Sequence, residues 1–229
     1  MLRQGAVLDV TALEALALRG LADRVGVHSG AALSPDEIGY EEFLPRPAGG
    51  GVSGLPLRGF VWPQLCWRRL ETIGNGWHEI RSAIRNYRKE SVAPGMIWSE
   101  NSAGERFAVL ACDWVLPHAY RARQLREALE WTARQMLPAV AEPTAPCLWP
   151  VVNRTVDGGW ILSLLNGSTD TLHTVPLRLS PELAQLEFAR LNDDGKWTAI
   201  ARPQSTEYTV SATLAPLEYL VLGAGIESK

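Results

Sequence analysis

From Cys147 to the C-terminus, turn signals return about every 8–12 residues, and short apolar, β-branched or aromatic runs separate them. The turns are Val156-Asp157-Gly158-Gly159, Asn166-Gly167-Ser168-Thr169 and Asn192-Asp193-Asp194-Gly195-Lys196. Each combines residues that tolerate left-handed backbone or hydrogen-bond their own main chain. The runs between them are Cys147–Val156, Trp160–Asn166, Leu172–Leu179, Leu186–Leu191, Trp197–Ile200, Thr206–Ala212 and Glu218–Leu222. Val175, Leu177 and Leu179 alternate with Pro176 and Arg178, which predicts strands with one buried and one wet face. This pattern restricts residues 147–229 to a small antiparallel β-sandwich or barrel; we expect a sandwich.

Residues 137–146 hold three prolines in ten positions. That composition predicts a stiff linker over 138–146 and a domain boundary there. The preceding segment, 1–137, mixes periods. Gly5–Asp9 reads as a short strand, and Thr11 with Glu14 fits a capping box opening a helix through Leu13, Leu16 and Ala17. A second short turn, Leu21–Val25, stops at Gly26. The opening strand needs a neighbour. Either it pairs with a later strand, or the chain starts partway through an α/β domain.

Residues 45–56 read as a flexible loop, and their glycines lack the GK[ST] ending of a phosphate loop. Gly59–Trp62, Met96–Trp98 and Arg106–Leu110 are strand-like, and Asn101–Gly104 is a hairpin turn between the last two. Residues 76–88 carry both periods: Trp77, Ile80, Ile84 and Tyr87 at helical spacing, His78, Ile80, Ser82 and Ile84 in alternation. A strand is preferred, because a hairpin onto Met96–Ser99 follows from it. Residues 119–136 form the clearest helix, with Leu125, Leu129, Thr132 and Met136 on one face. The expected fold class is α+β and β-rich: a partial α/β domain with an antiparallel sheet, then the sandwich.

Net charge is −3 over 229 residues, with no basic block. Arg121, Arg123 and Arg126 come nearest, and a solvated helix face accounts for them. Nucleic-acid binding is therefore not expected. No stretch of 18 apolar residues exists, and Asp9, Glu14, Arg19, Asp23 and Arg24 interrupt any signal-peptide core near the start. A soluble chain without membrane attachment, cytoplasmic by default, is the expectation.

The three cysteines, Cys66, Cys112 and Cys147, are widely spaced without a CxxC pair. The four histidines lack HxH or HExxH spacing. Neither a metal site nor a cofactor is expected, and Cys112, within Val109–Cys112, reads as a buried structural thiol. Glycoside hydrolysis would need two convergent carboxylates. Glu71, Glu79, Glu100 and Asp113 are available, but nothing in the sequence brings two together, and adjacent Glu41 and Glu42 point to opposite faces of a strand. No G-x-S-x-G occurs. No catalytic residue is assigned.

The aromatic content is unusual. Of nine tryptophans, Trp62, Trp67, Trp77, Trp98 and Trp114 fall within one stretch. Flat indole faces stack on sugar rings while neighbouring polar groups bond hydroxyls, so Trp62, Trp77, His78, Glu79, Trp98, Glu100 and Asn101 are carbohydrate-binding candidates. Core filling explains each indole as well, since tryptophan buries a large area.

The phrases Gly5–Asp9, Ala15–Leu21 and Arg106–Ala111 resemble the late part of the amidotransferase-like α/β domain of bacterial glycoside-hydrolase-like proteins of the β-galactosidase kind. Trp160–Asn166 and Leu214–Leu222 are similar to strands of the β-domain that ends such proteins. The resemblance implies a catalytic barrel upstream. This chain would then be a non-catalytic accessory region for domain packing, oligomerisation or carbohydrate contact, and its partners would be carbohydrate or that catalytic domain, with a homo-oligomer as a further possibility. A free-standing carbohydrate-binding module and a small hydrolase with a cryptic carboxylate pair are the alternatives.

Overall fold

A computed structural model describes residues 5–44, 57–61, 65–74, 76–113, 119–142, 145 and 147–226. The fold is α+β and β-rich, with mainly antiparallel sheets. It divides into two compact units, Met1–Gln135 and Met136–Lys229.

Unit one begins with β1 (Gly5–Leu8), α1 (Val10–Ala17), α2 (Ala22–Val25) and β2 (Val27–Ala32). A 3-10 turn at Pro35–Glu37 leads to β3 (Tyr40–Phe43), β4 (Leu57–Phe60) and β5 (Arg68–Thr72). The long hairpin β6 (Trp77–Arg85) and β7 (Ser91–Glu100) follows, then β8 (Arg106–Leu110) and α3 (Ala119–Ala133). The main sheet runs β1-β8-β7-β6-β3-β4, and β2 pairs with β5 separately. Within residues 76–88, Trp77–Arg85 is strand, hairpinned onto β7 as the alternation indicated. Gly104 N–H donates to Asn101 O to close the β7–β8 turn.

The opening strand finds its neighbour inside this chain: β1 pairs in parallel with β8 from Gly5↔Arg106 to Leu8↔Val109. Gly5 is required there, because a Cβ would sit 1.9 Å from Arg106 O. The α1 cap differs from the expectation. Asp9, not Thr11, is the N-cap and accepts from Ala12 N–H, while Thr11 Oγ1 donates to Asp113. Glu14 instead meets Ser29 and Arg68.

Both faces of the main sheet are covered. Phe107, Val109 and Ile97 join Leu13, Val25, Val27 and Leu70 in one cluster. Met96, Trp98, Ala108 and Leu110 meet Ala128 and Trp131 of α3 in another. Two-sided burial explains why Phe107–Ala111 is an unbroken apolar run. The buried face of α3 is not the expected row. Leu129 is exposed, and Arg121, Gln124, Ala128 and Thr132 are buried, with Trp131 packed beside them. Arg121 therefore does not belong to a solvated face; it is 4% exposed and pairs with Glu41, itself 2% exposed.

Unit two holds β9 (Ala139–Ala141), β10 (Leu148–Arg154), β11 (Trp160–Asn166), β12 (Val175–Leu179), α4 (Pro181–Ala184), β13 (Phe188–Leu191), β14 (Trp197–Ile200), β15 (Glu207–Val210) and β16 (Tyr219–Ala224). Sheets β10-β11-β16-β13-β14 and β15-β12-β9 enclose one core, including Leu162, Leu164, Leu177, Phe188, Tyr208 and Leu222. This is a β-sandwich. The stretch expected as a linker contributes β9, whose three residues are buried and pair with β12. Pro138 flanks an edge strand, where a missing N–H costs no ladder bond.

Asn166 ends β11 and is fully buried. Its Nδ2 donates to the carbonyls of Asp170, Leu214 and Ala215, and its Oδ1 accepts from Ser168 N–H and Oγ. One amide thus ties the turn after β11 to the approach to β16. Among the described residues, no helix is long and apolar enough to cross a membrane.

Candidate functional site

The α2–β2 corner, the start of β6 and the end of β7 enclose an open groove of about 500 Å³ in unit one. Asp23, Gly26, Trp77, His78, Glu100 and Asn101 are among the residues lining it. Four of the sequence-derived candidates therefore converge: Trp77, His78, Glu100 and Asn101. Register brings them together, since Trp77 lies opposite Glu100 and His78 opposite Ser99.

Trp77 is 48% exposed. Its ring lies 5.7 Å from that of Trp131, tilted by 38°. Trp131 in turn stacks on Trp98 at 4.7 Å, and the Arg81 guanidinium sits 4.6 Å from the Trp98 ring. The aromatic column is rooted in the core and reaches the groove at one end only. Trp98, 1% exposed, is its buried end, so it offers no ring face to a sugar. Glu79 does not line the groove either; it accepts from Arg81 Nη1 at 2.5 Å. Trp62 lies outside the described residues.

His78 Nε2 is 2.8 Å from Gly26 O. A carbonyl only accepts, so Nε2 carries the hydrogen, and in the neutral ring Nδ1 keeps a lone pair. Gly26 makes this possible: it caps α2 at φ +74°, and a Cβ there would lie 3.2 Å from His78 Nε2.

The polar candidates are already occupied. Asn101 Oδ1 accepts from Ala103 and Glu105 N–H, and its Nδ2 donates to Arg24 O and Glu105 Oε2. All four of its hydrogen-bonding positions are taken, three within the turn and one on α2. Glu100 accepts from Arg106 Nε at 2.7 Å and Arg134 Nη2 at 3.1 Å. Those arginines hold its carboxyl below the usual range. Arg24 and Asn101 hold Glu105 down to about 2.

Elsewhere, Arg81 donates from one terminal nitrogen to Glu79 and from the other to Glu127, which keeps a cation between the two carboxylates. Burial raises Glu41, although Arg121 and Ser82 oppose the shift. Burial also pushes the Cys112 thiol up to about 12, so it is no nucleophile at neutral pH. Among the described residues, no group of three metal-ligating side chains converges.

Sequence reasoning missed Asp23, Gly26, Ile73 and Trp131. Gly26 was visible as a helix stop, but its meeting with His78, 52 residues on, was not. Trp131 carried a signal in its helical spacing from Ala128, hidden by the more conspicuous leucine row. Neither a protein-family model nor a curated protein matches this chain.

Proposed function

We propose that this chain is a non-catalytic accessory region of a glycoside-hydrolase-like protein, with the groove beside Trp77 as its contact to carbohydrate. The carrying observation is the state of the carboxylates. Glycosidic cleavage needs one carboxyl group that stays protonated near neutral pH beside a second that does not. In and around the groove, arginines lower Glu100 and Glu105, the wrong direction for a general acid. Glu41 is shifted in the required direction, but it is enclosed between Arg121 and Ser82, out of reach of a substrate. The acids serve as structural ties.

Trp77 supports carbohydrate contact, being half-exposed and braced on Trp131 at the rim of an open groove. A braced ring loses little freedom when a ligand stacks on it. The test is two measurements on the purified chain. Chromogenic aryl glycosides should show no turnover above buffer, and tryptophan emission should respond to soluble oligosaccharides in the wild type but less in Trp77→Ala. Turnover that disappears in Glu100→Gln would overturn the non-catalytic reading.

A further inference from the structure

The five-stranded sheet of unit two has one face in the core and one outside. Leu148, Leu164 and Leu220 are buried on the inner side. One residue along each strand, Trp149, Leu165 and Tyr219 stand in a single cross-strand row on the outer side. Val151, Ser163 and Val221 form the next row. Trp149 is 61% and Tyr219 70% exposed. We propose that this face is a second carbohydrate-binding site, an aromatic platform for a neutral, extended glycan chain.

Spacing is the first argument. Trp149 and Tyr219 are two strands apart, or about 9.6 Å at ~4.8 Å per strand. An extended β-linked polysaccharide has a residue repeat similar to that strand spacing. Its rings i and i+2 would therefore lie over the two aromatic residues, with ring i+1 above Leu165. A pyranose presents an apolar C–H face that covers an aromatic ring, and a belt of hydroxyls around it. Asn153 and Ser163, on the same face, are placed to bond such hydroxyls.

Preorganisation is the second. The Trp149 indole lies over Gly167, where an added Cβ would come 3.4 Å from Trp149 Cε2. The ring is held against backbone and has little freedom to lose.

Charge and area select the occupant. Trp149, Val151, Asn153, Ser163, Leu165 and Tyr219 are all uncharged, which suits a neutral chain and gives nothing to a phosphate backbone or an acidic partner. The two exposed rings and Val151 offer on the order of 400 Å². A stable protein interface takes roughly 800 Å² from each partner. Strand addition at the β10 edge is also discouraged, because Pro150 lies within that strand and has no N–H to donate. A narrow, flat ligand fits these limits better than a second copy of the chain. The inference takes only its ligand class from the reading above; the residues are different ones.

The experiment is affinity electrophoresis of the full chain in native gels containing soluble β-glucan, xylan or galactan, with sedimentation velocity alongside. At least one polysaccharide should retard the wild type. Trp149→Ala and Tyr219→Ala should each weaken that binding roughly three- to tenfold, in the wild-type and in a Trp77→Ala background alike, and Trp149→Tyr should retain most of it. The proposal falls if none of the three retards the wild type, or if Trp149→Ala binds as tightly as wild type. It falls too if the wild type sediments as a dimer that Trp149→Ala dissociates, since a second copy would then cover the face. Loss of binding in Trp77→Ala alone would assign the ligand to the groove and remove the platform. Glycoside turnover would refute the non-catalytic reading and leave the platform standing.

Discussion

Replacing Arg121 by methionine should make unit one's stability depend more steeply on pH than the wild type's does. Arg121 and Glu41 form an ion pair between α3 and β3, both within the interior. Glu41 also accepts from Ser82 Oγ, and Gly95 leaves it room, since a Cβ there would sit 2.8 Å from Glu41 Oε1. Even with the guanidinium present, burial dominates and raises the Glu41 carboxyl. Without it, the folded protein must bury an uncompensated charge or take up a proton. At pH 8 the loss should be about 3–5 kcal/mol, the usual cost of breaking a buried pair from one side. The unfolded chain ionises this glutamate near pH 4.3. Above that, the folded variant holds its proton more tightly than the unfolded chain, so its stability rises as pH falls, by up to about 1.4 kcal/mol per pH unit. Going from pH 8 to pH 6 should thus stabilise the variant by up to about 2.7 kcal/mol, more than it stabilises the wild type. Urea unfolding at several pH values, followed by tryptophan emission, measures this directly. The double variant Glu41→Gln/Arg121→Met should lose the pH dependence and lie closer to wild type than the single one. A destabilisation of Arg121→Met that is constant between pH 8 and pH 6 would refute this account of the pair.

Other substitutions test the remaining assignments. Trp98→Ala, at the enclosed end of the aromatic column, should cost about 3–5 kcal/mol, whereas Trp77→Ala at the open end should cost about 1 kcal/mol or less; thermal melts give the order. Asn166→Ala removes a side-chain donor shared by three carbonyls in unit two, and should lower stability by about 2–4 kcal/mol with loss of amide protection around residues 214–218. In thiol titration of the native chain, exposed Cys66 and Cys147 should react and buried Cys112 only after denaturation. Glu105 is held down to about 2 by Arg24, so its contribution is present above pH 4.5 and lost as pH falls through about 2. Acid titrations of wild type and Arg24→Ala should accordingly differ above pH 4.5 and converge near pH 2.

What the sequence determined by itself is local. Glycine, asparagine and aspartate at the turns, with period-two alternation between them, marked Trp160–Asn166 and Trp197–Ile200 to the residue, the Asn101–Gly104 hairpin, and the β-rich class. These features depend on neighbours a few positions away, whose chemistry is written in order along the chain. Tertiary structure decided everything that depends on sheet order. It gave β1 its parallel partner 101 residues later, recruited Ala139–Ala141 from a proline-rich stretch as an edge strand, and turned Arg121 inward because Glu41 waits on β3. It also separated two tryptophans that read alike, closing Trp98 between Arg81 and Trp131 and leaving Trp77 at the groove. Burial is a property of which strands become neighbours, and no local period encodes that.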